Sequence, residues 1–202
     1  MQLVIASNNK GKIREIKAIF SQQFDPIVSL KEVGIALDTV EDGDSFEANA
    51  LKKAREAAAA LEQRGIEAAV LSDDSGIEVE YLNGAPGIYS ARYAGEPSDD
   101  ERNNQKLIAA LREVPPEQRG ARYVACVILL IPGEDPIVAH GYWAGQIALT
   151  PAGEGGFGYD PYFYLPEFGC TAAELSAQAK NRISHRAKAL QMLYTRYEAK
   201  KK

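Results

Sequence analysis

The chain has 202 residues, a length that fits one domain, or one domain with two lobes, and allows a substantial core. Apolar residues make up 46% and charged residues 25%, as in ordinary globular proteins, and no apolar run approaches the ~20 residues of a membrane span. The net charge of −5 argues against binding polymeric nucleic acid through a broad basic surface, although a small polyanion needs only a local cluster of cations.

The first residues and the two cysteines indicate the cellular compartment. Residues 1–6 lack the basic region and the long apolar stretch of a secretory signal. Cys126 lies in an apolar run and Cys170 in a turn-like segment, and neither has the spacing of a metal site or requires a disulfide. We therefore expect a cytoplasmic protein with structural cysteines and no membrane contact.

Strands and helices alternate in the first half of the chain. Short apolar runs predict strands at residues 2–6, 26–30, 68–71 and 77–82. Apolar residues at helical spacing predict a helix that begins near Gly11 and a long amphipathic helix at 44–63.

The second half carries two long adjacent strands. They are predicted at residues 123–131 and 137–149, joined by a hairpin connection. Further helices are predicted at 99–111 and 182–197. This order of elements predicts an α/β fold with a mixed, twisted β-sheet flanked by helices.

Two adjacent carboxylates, Asp73 and Asp74, follow the predicted strand 68–71. Ligand crevices tend to form where such strands end. Because successive strand residues point to opposite faces, we expect one carboxylate to hold Mg²⁺ and the other to brace the turn. Glu41 or Asp42 is a candidate second ligand. The alternative is a capping turn at 72–76 that binds no metal.

The polar turn 7–12 joins a predicted strand to a predicted helix. Exposed N–H groups at a helix N-terminus attract phosphate, and Lys10 and Lys12 add positive charge. The spacing of a P-loop is absent. The turn is therefore a candidate phosphate site, or else an ordinary polar connection.

Three glycines surround Phe157 in the segment 155–161. Glycine leaves the aromatic face open to close approach, and stacking of a nucleobase on such a ring contributes roughly 1–3 kcal/mol. The alternative is a tight turn whose Phe157 enters the core.

A basic segment, residues 180–186, opens the last predicted helix. His185 and Arg186 can donate hydrogen bonds to a base that bears a carbonyl group. Alternatively, Ser184 or Asn181 is only a helix cap. His140, in the strand predicted at 137–149, is interpreted as structural.

In this combination and order, the four segments resemble the inosine/xanthosine triphosphate pyrophosphatase family, from residues 6–12 to 184–186. The segments 72–76, 84–93 and 155–161 make the resemblance specific. The family implies a single domain over residues 1–202 with an elongated, two-lobed fold and an active-site cleft between the lobes. It also implies a homodimer, Mg²⁺ as cofactor, and hydrolysis of a nucleoside triphosphate to the monophosphate and pyrophosphate.

The resemblance also assigns site residues by position. Glu41 and Asp74 resemble the metal carboxylates, with Asp74 also the general base, and Phe157 resembles the ring that stacks on the base. The other implied substrate contacts are Ser7, Asn8, Asn9, Lys10, Gly11, Lys12, Lys53, Ser75, Gly158, Tyr159, Asp160, Lys180, His185 and Arg186.

One position departs from the family pattern. The family commonly has Phe-x-Glu-Asn-Ala before its lysine, whereas this chain has Ala48 between Glu47 and Asn49. An acid one residue away lies about 100° around a helix, so Glu47 is not assumed to replace the missing carboxylate. We expect the metal site to depend more on Glu41 and Asp73.

The function that the sequence predicts is pyrophosphohydrolysis of deaminated purine nucleotides, namely ITP, dITP and XTP. Water attacks the α-phosphorus, Asp74 deprotonates it, and metal and lysines stabilise the leaving pyrophosphate. Two alternatives stay open: an enzyme of the same fold that hydrolyses other modified nucleotides, and a nucleotide-binding module without turnover.

Overall fold

The computed structural model describes residues 1–201. Its strands are β1 (Leu3–Ala6), β2 (Ile27–Ser29), β3 (Ala69–Val79), β4 (Gly120–Leu130), β5 (Ile137–Ile147), β6 (Phe163–Leu165) and β7 (Cys170–Thr171). Its α-helices are α1 (Lys10–Phe20), α2 (Phe46–Glu62), α3 (Asp100–Leu111), α4 (Ala177–Ile183) and α5 (His185–Lys200). None of the helices within residues 1–201 has the length and hydropathy of a membrane span.

The strands form one mixed sheet in the order β2-β1-β3-β4-β5-β6-β7. β1 pairs in parallel with β2 and β3, whereas β5 with β6 and β6 with β7 are antiparallel. The six residues between β4 and β5 are too few for a parallel crossover, so these neighbours form the expected hairpin. The predicted α/β fold with a mixed sheet is confirmed.

The chain divides into two compact units. The first comprises residues 1–74, 125–141 and 186 onward, and the second comprises residues 75–124 and 142–185. The core of the first unit packs β1, α1 and α5 through residues such as Leu3, Ile16 and Leu190. The core of the second includes Leu107 from α3, Trp143 from β5 and Phe163 from β6.

The register of the parallel strands positions the first polar turn. Leu3 lies opposite Ala69 and Ala6 opposite Ser72. The chain therefore leaves β1 beside the point where β3 reaches Asp73. This explains how a residue in the first turn of α1 contacts a carboxylate in β3.

The prediction that a strand ends at residue 71 was wrong. β3 continues through the polar run 72–76 to Val79, and residues 80–82 form a 3-10 turn. Asp73 and Asp74 are only 1% and 4% exposed. Both make ion pairs with residues distant in sequence, which allows the strand to bury them.

The single helix predicted at 182–197 is two helices. α4 ends at Ile183 and α5 begins at His185, because Ser184 has an extended backbone (φ −67°, ψ 163°). Apolar residues continue across the break, so their spacing alone does not locate it. The basic segment 180–186 therefore spans the end of one helix and the start of the next.

Candidate active site

The turn at residues 7–12 is held by its own side chains. The Asn9 Oδ1 atom caps α1 by accepting from the Lys12 N–H at 3.0 Å, and the Ser7 Oγ atom accepts from the Asn9 N–H at 3.2 Å. Asn8 donates to the Leu37 carbonyl at 2.8 Å. Lys10 is exposed. The turn thus presents a capped helix N-terminus and an exposed cation, a combination that attracts anions.

Asp73 is surrounded by cations. Its Oδ1 atom is 2.7 Å from the Lys12 ammonium, and its Oδ2 atom accepts from Arg186 Nε at 2.9 Å. Burial alone would raise the pKa of Asp73, but the charges of Arg186 and Lys12 outweigh it and hold that pKa well below its usual range. Both oxygens are engaged by cations. The expectation that the metal site depends on Asp73 stays a prediction.

Arg186 is the centre of this buried network. The guanidinium is 1% exposed and is shared between Asp73 and Glu15 of α1. Its donors face two buried carboxylates, and the predicted hydrogen bond from Arg186 to a base carbonyl stays a prediction. The geometry makes Arg186 a positioning residue that holds α1, β3 and α5 together.

Asp74 has a different environment from its neighbour. Its Oδ1 atom lies 2.8 Å from the Lys53 ammonium, which also lies 2.7 Å from Glu41 Oε1. The Asp74 Oδ2 atom is buried and has no hydrogen-bond partner within residues 1–201. Burial raises the pKa of Asp74, and Lys53 and Lys12 only partly offset this.

This arrangement fits a divalent cation. A buried carboxylate oxygen without a partner is costly, and a metal ion or a water molecule would satisfy it. Glu41 and Asp74 supply the oxygen ligands that Mg²⁺ prefers. The sequence prediction of these two carboxylates as metal ligands stays a prediction, but the structure does bring them to one lysine.

The first turn of α2 contains the departure from the family pattern. Ser45 caps the helix by accepting from the Ala48 N–H at 3.1 Å. The Glu47 side chain is 53% exposed, and its Oε2 atom lies 3.6 Å from His140 Nε2. The Glu47 carboxylate is thus next to a histidine.

The glycine-rich loop belongs to the second unit and is organised by Asp160. The Asp160 Oδ2 atom accepts from the Phe157 N–H at 2.9 Å and from the Lys180 ammonium at 2.5 Å. Its Oδ1 atom accepts from the Tyr123 hydroxyl at 3.1 Å. Asp160 is buried, and these bonds hold the loop. Its predicted contact with the substrate stays a prediction.

Two glycines of this loop are required by their geometry. Gly156 has φ +72° and lies so close to the Asp160 carboxylate that a Cβ atom would collide with it. Gly158 has φ +64°, and its peptide is fixed by Asp100 and Asn104 of α3. Sequence reasoning missed these two α3 residues. The sequence feature that could have indicated them is their spacing: Asp100 and Asn104 are four residues apart, on the face of α3 that carries the core residues Leu107 and Leu111 further along the helix.

The side chains around Phe157 are mostly buried. Phe157 itself is partly exposed, and the Lys180 ammonium lies 4.8 Å from its ring centroid. The buried Tyr159 donates to the Ser90 carbonyl at 2.7 Å, and its pKa is raised by burial. The His185 ring stacks on Tyr123 at a centroid distance of 4.6 Å. The ring best placed to meet a ligand is therefore Phe157.

Comparison with known proteins identifies the family. Residues 3–196 match the Ham1 family. The chain belongs to the Ham1 family. The dITP/XTP pyrophosphatase of Clostridium perfringens is 46% identical over 193 residues, which are 95% of each chain. That of Xanthomonas axonopodis pv. citri is 48% identical over 200 residues, 98% of each chain.

Solved Ham1 structures have the same fold. The Staphylococcus aureus Ham1 protein has a TM-score of 0.84 at 42% identity, covering 99% of this chain and 100% of that one. A HAM1 protein from Coxiella burnetii has a TM-score of 0.84 at 38% identity, covering 98% and 99%. The resemblance drawn from the sequence motifs is thereby confirmed.

Proposed function

We infer that this protein is a nucleoside triphosphate pyrophosphatase that converts dITP, XTP and ITP to the monophosphate and pyrophosphate. Near end-to-end similarity to proteins named dITP/XTP pyrophosphatase supports the substrate class. The observation that carries the chemistry is the buried Asp74 carboxylate, which has one oxygen on Lys53 and one without a hydrogen-bond partner in the described chain.

The triphosphate binds the turn at residues 7–12 together with Lys53 and Ser75. The helix N-terminus at 7–12 and the ammonium groups of Lys10, Lys12 and Lys53 neutralise its charge. Ser75, which follows Asp74 in β3, contributes a hydroxyl. Lys53 also keeps the Asp74 and Glu41 carboxylates in place, because its ammonium bonds to both.

Glu41 and Asp74 would hold Mg²⁺, which supplies neutralisation of phosphate charge and polarisation of water when bound. Asp74 accepts a proton from the water that attacks the α-phosphorus. Burial raises the pKa of Asp74 above its usual value, and its second oxygen has no hydrogen-bond donor within residues 1–201. Lys12 and Lys53 stabilise the departing pyrophosphate.

The base stacks on Phe157. Asp160 fixes the backbone of this loop, so the ring is oriented before the substrate arrives. Lys180 and His185 line the same region and support recognition of the carbonyl group at position 6 of hypoxanthine and xanthine. On the family resemblance alone, we also propose that the protein is a cytoplasmic homodimer.

Pyrophosphate release, measured across a panel of nucleoside triphosphates with Mg²⁺, tests this function. We expect turnover of dITP, ITP and XTP and little of ATP. Asp74→Asn should lower turnover by at least ~10²-fold with folding intact, since it removes the base and a metal charge. Preferential turnover of another modified nucleotide would contradict the substrate class. Binding without pyrophosphate release by the wild-type protein would contradict catalysis.

A further inference from the structure

Three potential metal ligands meet in the first unit although they are far apart in sequence. They are Glu47 in the first turn of α2, Cys126 in β4 and His140 in β5. One ligand atom from each lies within 4.8 Å of the others, and Glu47 Oε2 is 3.6 Å from His140 Nε2. Sequence reasoning found no such cluster, because the spacing 47–126–140 has no local motif.

The donor atoms of this group select a particular class of ion. A thiolate sulfur, an imidazole nitrogen and a carboxylate oxygen are the ligands of Zn²⁺, whereas Mg²⁺ prefers oxygen alone. Tetrahedral zinc with bonds of about 2.0–2.3 Å places its ligand atoms about 3.3–3.8 Å apart. The Glu47–His140 pair already has this separation. A zinc-bound sulfur lies about 3.6 Å from a zinc-bound nitrogen or oxygen, so the sulfur must approach by about 1.2 Å at most.

The three residues also differ in exposure in a way that suits entry of an ion. Glu47 and His140 are 53% and 35% exposed, whereas Cys126 is buried beneath them. Cys126 forms no disulfide. An ion entering from solvent meets the carboxylate and the imidazole first and reaches the sulfur last.

We propose that Glu47, Cys126 and His140 form a site for Zn²⁺ or a similar borderline-soft divalent cation, with a fourth position for water. Binding converts the Cys126 thiol to a zinc-bound thiolate and releases its proton to solvent. The bound ion would tie the first turn of α2 to the β4–β5 pair. The site is distinct in residues and in chemistry from the proposed Mg²⁺ site at Glu41 and Asp74, and it does not rest on the proposed function.

Cobalt titration of the metal-free, full-length protein tests the proposal. Because Co²⁺ reports sulfur ligation through thiolate-to-metal charge-transfer absorption, we expect this band to appear and to saturate at one ion per chain. Zn²⁺ should displace the cobalt, since zinc binds such sites more tightly. Cys126→Ala should abolish the band, and Cys170→Ala, which removes the other free thiol, should preserve it.

Two further variants test the remaining ligands without disturbing the core. Glu47→Gln and His140→Gln change partly exposed side chains, and each should weaken Zn²⁺ binding by at least about 10-fold, the lower range for a disturbed ligand sphere. Asp74→Asn should keep the cobalt band, which separates this site from the proposed catalytic metal. A wild-type protein without the band, a band that survives Cys126→Ala, or unchanged zinc affinity in both Gln variants would overturn the proposal.

Discussion

Replacing Arg186 with methionine would remove the cation that two buried carboxylates share. Removing one partner of a buried ion pair typically costs about 3–5 kcal/mol. Asp73 keeps Lys12 at 2.7 Å, so we expect the lower value. At about 2–4 °C per kcal/mol for a chain of this size, the melting temperature should fall by about 6–12 °C.

The same variant separates a positioning role from base recognition. The guanidinium of Arg186 is occupied by Asp73 and Glu15, so kcat/KM should fall equally for ITP and ATP. Thermal unfolding and pyrophosphate release measure the two effects. An unchanged melting temperature, together with a loss confined to ITP, would refute the assignment from the structure and restore Arg186 as a donor to the base.

Acid unfolding provides a second test of this network. The folded-state pKa of Asp73 is depressed, so its contribution to stability is fully present above the unfolded value of about 3.9 and is lost as pH falls through the folded value. In Arg186→Met the charge of Arg186 no longer lowers that pKa, so the contribution should shrink. The variant should therefore begin to unfold at a higher pH than the wild type.

Three further substitutions test the two halves of the proposed site. Phe157→Ala should weaken ITP binding by about 1–3 kcal/mol in a binding titration, because it removes the ring that stacks on the base. Phe157→Leu, which keeps an apolar side chain but removes the aromatic ring, is the size control. A large fall in melting temperature at unchanged affinity would instead place the ring in the core. Ala48→Glu should lower the Mg²⁺ concentration for half-maximal rate, compared with Ala48→Gln, and an unchanged requirement would mean that the site is complete without that acid. Asp160→Asn should lower the melting temperature, because it leaves the Lys180 ammonium buried without the Asp160 carboxylate. It should also raise KM for ITP, because the bond from Asp160 to the Phe157 N–H holds the loop that carries the stacking ring. Wild-type values for both would exclude Asp160 as the residue that holds the loop.

The alternation of elements could be predicted because each element carries its own apolar period. The capped helix α3 is an example, since Asp99 caps it and Leu107 and Leu111 face the core. The end of β3 could not be predicted in this way. A polar run is typical of a strand end, and the cations that permit burial of Asp73 come from α1 and α5, which no local pattern connects to β3.

In the candidate site, too, short sequence motifs located some residues, whereas contacts between residues distant in sequence could not be predicted. The motifs located Asp74, Phe157 and the turn at 7–12, because each is a short segment with unusual chemistry. The motifs alone did not distinguish side chains that face a ligand from buried side chains that fix the position of their neighbours. Asp160 and Arg186 are buried ion-pair centres, which only the distances to Lys180 and to Glu15 reveal.

The contrast between Asp73 and Asp74 explains why two adjacent carboxylates have different tasks. Successive residues of β3 point to opposite faces, so Asp73 meets Lys12 and Arg186 while Asp74 meets Lys53. The first environment lowers the pKa and engages both oxygens; the second raises the pKa and leaves one oxygen without a hydrogen-bond partner in the described chain. Where two neighbouring titratable groups have pKa values shifted in opposite directions by their environments, they typically have different roles, one in catalysis and the other in supporting the site. We therefore propose that Asp73 stabilises the strand that presents Asp74, and that Asp74 is the carboxylate that takes part in the chemistry.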